Sequence, residues 1–102
     1  MIFVETSTFT KRVLRLLDDD SYGALQTHLA KHPEDGDVIR GGGGLRKIRW
    51  AARGHGKRGG VRVIYYWWIG KDRISMLFIY PKTEMDDLNA EQLKLLRQAL
   101  EL

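Results

Sequence analysis

Leu45-Arg46-Lys47-Ile48-Arg49-Trp50-Ala51 is where the apolar residues of this 102-residue chain change from helical spacing to strict alternation. A strand sends successive side chains to opposite faces, so Ile48 and Trp50 share one side and Lys47 and Arg49 the other. Val61 to Ile69 reads as a longer strand and Ile74 to Tyr80 as another, with Gly70-Lys71-Asp72 as a tight hairpin between them. If Val61, Val63 and Tyr65 enter the core with Ile48, Arg62 must emerge beside Lys47 and Arg49. Three cations on neighbouring strands then converge on one face. Arg53 to Gly60 reads as a long, basic, glycine-rich connection, and Pro81 as the end of the sheet.

Upstream the period is 3.6. Ile2 to Thr6 is a short β-prone run, followed by Phe9, Val13, Leu16 and Leu17 on a helix that Ser7 or Thr8 can cap. Asp18-Asp19-Asp20-Ser21 interrupts the pattern and offers a new cap. A second helix then runs to Lys31 with Tyr22, Leu25 and Leu29 on one stripe, closed by Pro33. Downstream, Leu93, Leu96 and Leu100 mark a last helix, capped by Asn89 or Asp87. The order β-α-α-β-β-β-α predicts an α+β fold in one domain spanning 1–102: an antiparallel sheet, helices packed on one face, and an open basic face.

Charge points to the partner. Val38 to Lys71 contains no Asp or Glu but carries Arg40, Arg46, Lys47, Arg49, Arg53, Lys57, Arg58, Arg62 and Lys71. Net charge is +4 and the isoelectric point about 9.6. So dense a basic block repels itself unless a polyanion sits on it, which favours nucleic acid over a neutral small molecule. The chain has no Cys, which suits a reducing compartment. It has no bilayer-length apolar run, and Met1-Ile2-Phe3-Val4-Glu5 lacks the basic start of a signal peptide. The expected location is cytoplasmic, without membrane contact.

Glycines, histidines and aromatics supply further candidate sites. Gly41 to Gly44 lacks the GK[ST] ending of a nucleotide-binding loop. Gly54-His55-Gly56-Lys57-Arg58-Gly59-Gly60 is either a backbone nest for phosphate or a basic loop that steers RNA. His28 and His32 have a metal-compatible spacing, but no third ligand lies nearby, so no metal and no cofactor are expected. His55, set among cations, is expected to stay neutral. Tyr66 and Trp68 share the face of Arg62, where they either stack on bases or cover a sheet or partner interface.

Gly43-Gly44-Leu45-Arg46-Lys47-Ile48-Arg49, Gly56 to Tyr66 and Ile79-Tyr80-Pro81-Lys82-Thr83-Glu84-Met85-Asp86-Asp87-Leu88 together resemble the RelE superfamily of bacterial type II toxins, in particular its HigB-like branch. The resemblance covers nearly the whole chain. It implies a metal-independent, ribosome-dependent messenger-RNA endonuclease that cleaves the codon in the ribosomal A site through attack by a ribose 2′-hydroxyl. The implied partner is a cognate antitoxin, a helix-turn-helix protein of the HigA kind. The catalytic positions that the resemblance implies are Lys47, Arg49, Arg62 and Lys82; Tyr80 is a further catalytic candidate at the strand end, and Arg46, Arg53, His55, Lys57, Arg58, Tyr66 and Trp68 are expected, from charge and stacking, to contact RNA. Some relatives carry a Tyr or His near the carboxyl end where this chain offers Thr83, Glu84 and Asn89, so the proton carrier stays open between Tyr80 and Lys47. The alternatives are a non-catalytic nucleic-acid-binding module and a ParE-like toxin that poisons gyrase on the same scaffold.

Overall fold

The computed structural model of the chain describes residues 1–52 and 56–100, with residues 56–59 described through the backbone alone. Its elements are β1 (Ile2–Glu5), α1 (Ser7–Leu16), α2 (Asp19–Lys31), β2 (Asp37–Val38), β3 (Arg46–Ala52), β4 (Gly56–Trp68), β5 (Arg73–Pro81) and α3 (Ala90–Ala99). The strands form one sheet in the order β1-β5-β4-β3-β2.

Local chemistry sets the helix starts. Thr6, one residue earlier than expected, caps α1: its hydroxyl accepts from the Phe9 N–H at 3.1 Å and donates to the Leu77 carbonyl at 2.9 Å. Asp18 caps α2 by accepting from the Ser21 N–H at 2.7 Å, and Asp19 and Asp20 place negative charge at the positive end of the helix dipole. Asn89, not Asp87, caps α3, in a reciprocal capping box with Gln92. Asp87 is thereby left free for another role.

The first core lies between α1, α2 and one sheet face. Phe9, Val13, Leu25 and Leu29 pack there against Ile48, Val61, Val63, Tyr65, Ile74 and Met76. Tyr65 is fully buried; its hydroxyl donates to the Pro33 carbonyl at 2.7 Å and accepts from the Gly36 N–H at 2.8 Å. That hydroxyl fixes the segment leading into β2. Tyr65→Phe leaves both backbone groups without their partner, at an expected cost of about 1–3 kcal/mol, checked by urea denaturation.

The structure corrects three expectations. The sheet is mixed, because β1 runs parallel to β5. Its second face is partly covered: Leu93 of α3, with Leu96 and Leu100 beside it, packs on Leu45, Ile64, Leu77 and Tyr80 in a second core. The leucine stripe of α3 must bury itself somewhere, and α1 and α2 already occupy the other face. Finally, the backbone of 56–60, expected as loop, belongs to β4, with Gly56 paired to Ala52 across a register shift between Trp50 and Ala52.

An irregularity in β5 decides which way Tyr80 faces. Tyr65 pairs with Met76 and Ile64 with Phe78, so Leu77 is an extra residue, a β-bulge. Before it Ile74 and Met76 face the first core; after it the alternation is shifted, and Ile79 takes that side while Tyr80 turns to the second face. Without the bulge Tyr80 would point at α1 and α2.

Candidate active site

Three register pairs build a transverse row on the second sheet face. Arg49 of β3 lies directly opposite Arg62 of β4, and Arg62 lies directly opposite Tyr80 of β5. Directly opposed residues hold their Cβ atoms about 4.5–5.5 Å apart, so these three side chains are immediate neighbours. Lys47 stands on the same face of β3, one pleat from Arg49. The predicted convergence of Lys47, Arg49 and Arg62 is therefore a property of the register.

Burial differentiates them. Arg49 is exposed, whereas Arg62 is only 5 % exposed and lies on the floor of the sheet. Among the described residues no carboxylate pairs with Arg62, and its one hydrogen bond runs to the Val61 carbonyl at 3.4 Å. A buried guanidinium with so little fixed partner is a strong attractor for an incoming anion.

Although Val38 to Lys71 contains no Asp or Glu, a carboxylate from further along the chain reaches the cluster. Lys47 Nζ donates to Asp87 Oδ1 at 2.5 Å. That hydrogen bond, with the charges of Lys47 and Arg62, holds the Asp87 carboxyl below the usual aspartate range. Tyr80 is fully buried and donates to the Asp86 carbonyl at 3.4 Å. Burial first, then the negative charge of Asp87, pushes its phenol above the ordinary tyrosine value, while Arg62 pulls weakly the other way. Tyr80 is thus held protonated and able to donate, while Asp87 is held ionised.

The loop carrying Asp86 and Asp87 is fastened from outside the site. Arg12 of α1 donates through Nε to the Ile79 carbonyl at 2.7 Å, pairs through Nη2 with Glu84, and lies 4.7 Å over the Phe78 ring. Asp87 was legible in the sequence only as a helix cap. Its pairing with Lys47 is long-range and gave no local signal.

The other predicted residues separate. Lys82 is exposed just beyond β5, where its N–H donates to the Gly60 carbonyl at 3.3 Å. Arg46 serves the scaffold: Nη1 donates to the carbonyls of Glu34 and Gly36, each at 2.9 Å. Tyr66 and Trp68 do not flank the cationic row. They pack edge to face at 4.9 Å, Tyr66 joins the second core, and Trp68 Nε1 donates to Ser75 Oγ at 2.9 Å. The Gly41–Gly44 run also serves α3, since Arg97 donates to the Gly43 carbonyl and a Cβ on Gly44 would sit 3.0 Å from the Tyr66 ring. Arg53 and His55 lie outside the described residues, as do the side chains of Lys57 and Arg58.

His28 binds Asp35 at 2.7 Å and stacks near Trp50, on the far side of the sheet from the row. Among the described residues no three His, Asp or Glu side chains gather at metal-binding distance. No helix among them is long and apolar enough to cross a membrane.

A small basic α+β protein whose sheet presents a buried arginine, flanking cations and a buried phenol offers an incoming anion a cationic surface. Comparison with protein families matches residues 6–101 to RelE, described as the RelE toxin of the RelE / RelB toxin-antitoxin system. The chain belongs to the RelE toxin family.

Proposed function

We propose that this toxin is a ribosome-dependent endoribonuclease that cleaves messenger RNA at the A-site codon. The observation that carries the proposal is the Arg49–Arg62–Tyr80 row with Lys47 beside it. In the proposed reaction a ribose 2′-oxygen attacks the adjacent phosphorus. The O2′–P bond forms and the P–O5′ bond breaks, leaving a 2′,3′-cyclic phosphate and a 5′-hydroxyl. Negative charge grows on the non-bridging oxygens during this step, and oriented guanidinium groups stabilise it where water would have to reorganise.

Arg62 takes the scissile phosphate and Arg49 assists from the rim. Neither moves a proton, because an arginine remains charged in proteins. Lys47 exchanges its Asp87 partner for a phosphate oxygen and holds the backbone in line. Tyr80, kept protonated by burial and by Asp87, is suited to donate to the departing O5′. The 2′-hydroxyl proton leaves to a base supplied within the ribosomal complex. An antitoxin with an acidic or amphipathic segment would complement the cationic face.

Mapping message ends in a translating extract tests the function. New 5′-hydroxyl ends within A-site codons are expected with the wild-type protein. Intact message would reject the nuclease, leaving a binding module if translation is arrested and a gyrase-directed toxin if it is not.

A further inference from the structure

Beside the cationic row the second face holds a half-open cleft of about 340 Å³. It shares Lys47 and Tyr80 with the row, and its apolar lining includes Ile39, Ile64, Leu88 and Leu93. Its size falls in the range of small-ligand sites, about 300–1,000 Å³. A nucleotide whose phosphate lies at Lys47 has its base within reach of this apolar lining, so the cleft continues the phosphate site.

Asp37 stands at its edge. It lies directly opposite Lys47 across β2 and β3, on the same sheet face. Lys47 nevertheless reaches past it to Asp87. Among the described residues no hydrogen bond or ion pair engages the Asp37 carboxylate. Its backbone is held firmly, because the preceding Gly36 gives its N–H to Tyr65 and its carbonyl accepts from Arg46. Asp87, the other carboxylate lining the cleft, is paired with Lys47, so Asp37 is left as an acceptor for an incoming donor while it repels the RNA backbone.

We propose that this cleft binds the base next to the scissile phosphate and that Asp37 selects guanine there. The inference rests on the proposed cleavage of messenger RNA. An ionised carboxylate presents two acceptors side by side and no donor. Guanine alone among the four bases offers two adjacent donors, N1–H and N2–H, on its Watson–Crick edge. Adenine and cytosine place a ring-nitrogen acceptor beside their amino group, and uracil flanks its single N–H with two carbonyls, so each meets the carboxylate with repulsion. In single-stranded RNA that edge is free to be read.

The test sequences cut ends across a message library in translating extracts, for the wild type, Asp37→Asn and Asp37→Ala. Both substitutions are at an exposed position of a two-residue strand, and Asn preserves the shape. The quantity read is the ratio of guanine to other bases at each position flanking the cut, which a general loss of activity leaves unaltered. Wild type should favour guanine at one flanking position by about tenfold, the discrimination of one good base-edge pair. Both variants should bring that ratio to within about twofold of even, because alanine removes the acceptors and asparagine accepts and donates alike. A guanine preference that survives both substitutions, or a wild type without one, overturns the assignment while the nuclease stands. A wild type that cuts nothing removes the nuclease and this inference together.

Discussion

Arg62→Ala should lower message cleavage on programmed ribosomes by about 10²–10³-fold, the usual consequence of removing one preorganised donor to a developing oxyanion. The size follows from burial. Arg62 is 5 % exposed and sits between Arg49 and Tyr80, so its charge acts where water screens poorly. Arg49 is exposed, and Arg49→Ala should cost less because solvent already weakens its field. Arg62→Lys keeps the charge but loses the planar fork that matches two phosphate oxygens, so it should recover only part of the rate. Stability should hold in Arg62→Ala, since among the described residues no carboxylate loses a partner. Single-turnover cleavage beside a urea unfolding curve separates the two effects. An Arg62→Ala protein that cuts at the wild-type rate would remove Arg62 from the mechanism.

Phe9→Ala should be the most damaging single truncation in the first core, costing about 3–5 kcal/mol. Phe9 has no exposed surface, lies 5.8 Å from the Tyr22 ring, and fixes α1 against the sheet beside Val13. A domain of this size has a total stability of about 5–15 kcal/mol, so the change removes at least about a fifth of it. The urea midpoint should fall with little change in slope, as expected when stability alone is altered. A loss below about 1 kcal/mol would mean that neighbouring side chains collapse into the space.

Much of the site was legible because strand parity is local. The alternation Lys47-Ile48-Arg49 and Val61-Arg62-Val63 placed three cations on one face, and the sheet agrees. Parity also put Tyr66 and Trp68 on that side of β4 with two uses left open, but it did not show that Tyr66 joins the second core beside the leucine stripe of α3 or that Trp68 bonds Ser75. Nor did the sequence show that Nη1 of Arg46 bonds the Glu34 and Gly36 carbonyls. A side chain's partner across the fold is not written in its neighbours.

The order of every element but β2, the helix stripes and the side of the sheet that carries Lys47, Arg49 and Arg62 came from the chain alone, because a period of 3.6 or 2 is set by bonds between near neighbours. Tertiary structure decided the rest. The bulge at Leu77 turns Tyr80 toward Arg62, the loop before α3 brings Asp87 onto Lys47, and β2 sets Asp37 opposite that lysine. Each of these depends on which strands pair and in what register, and register is fixed by burial across the whole sheet rather than by any segment of it.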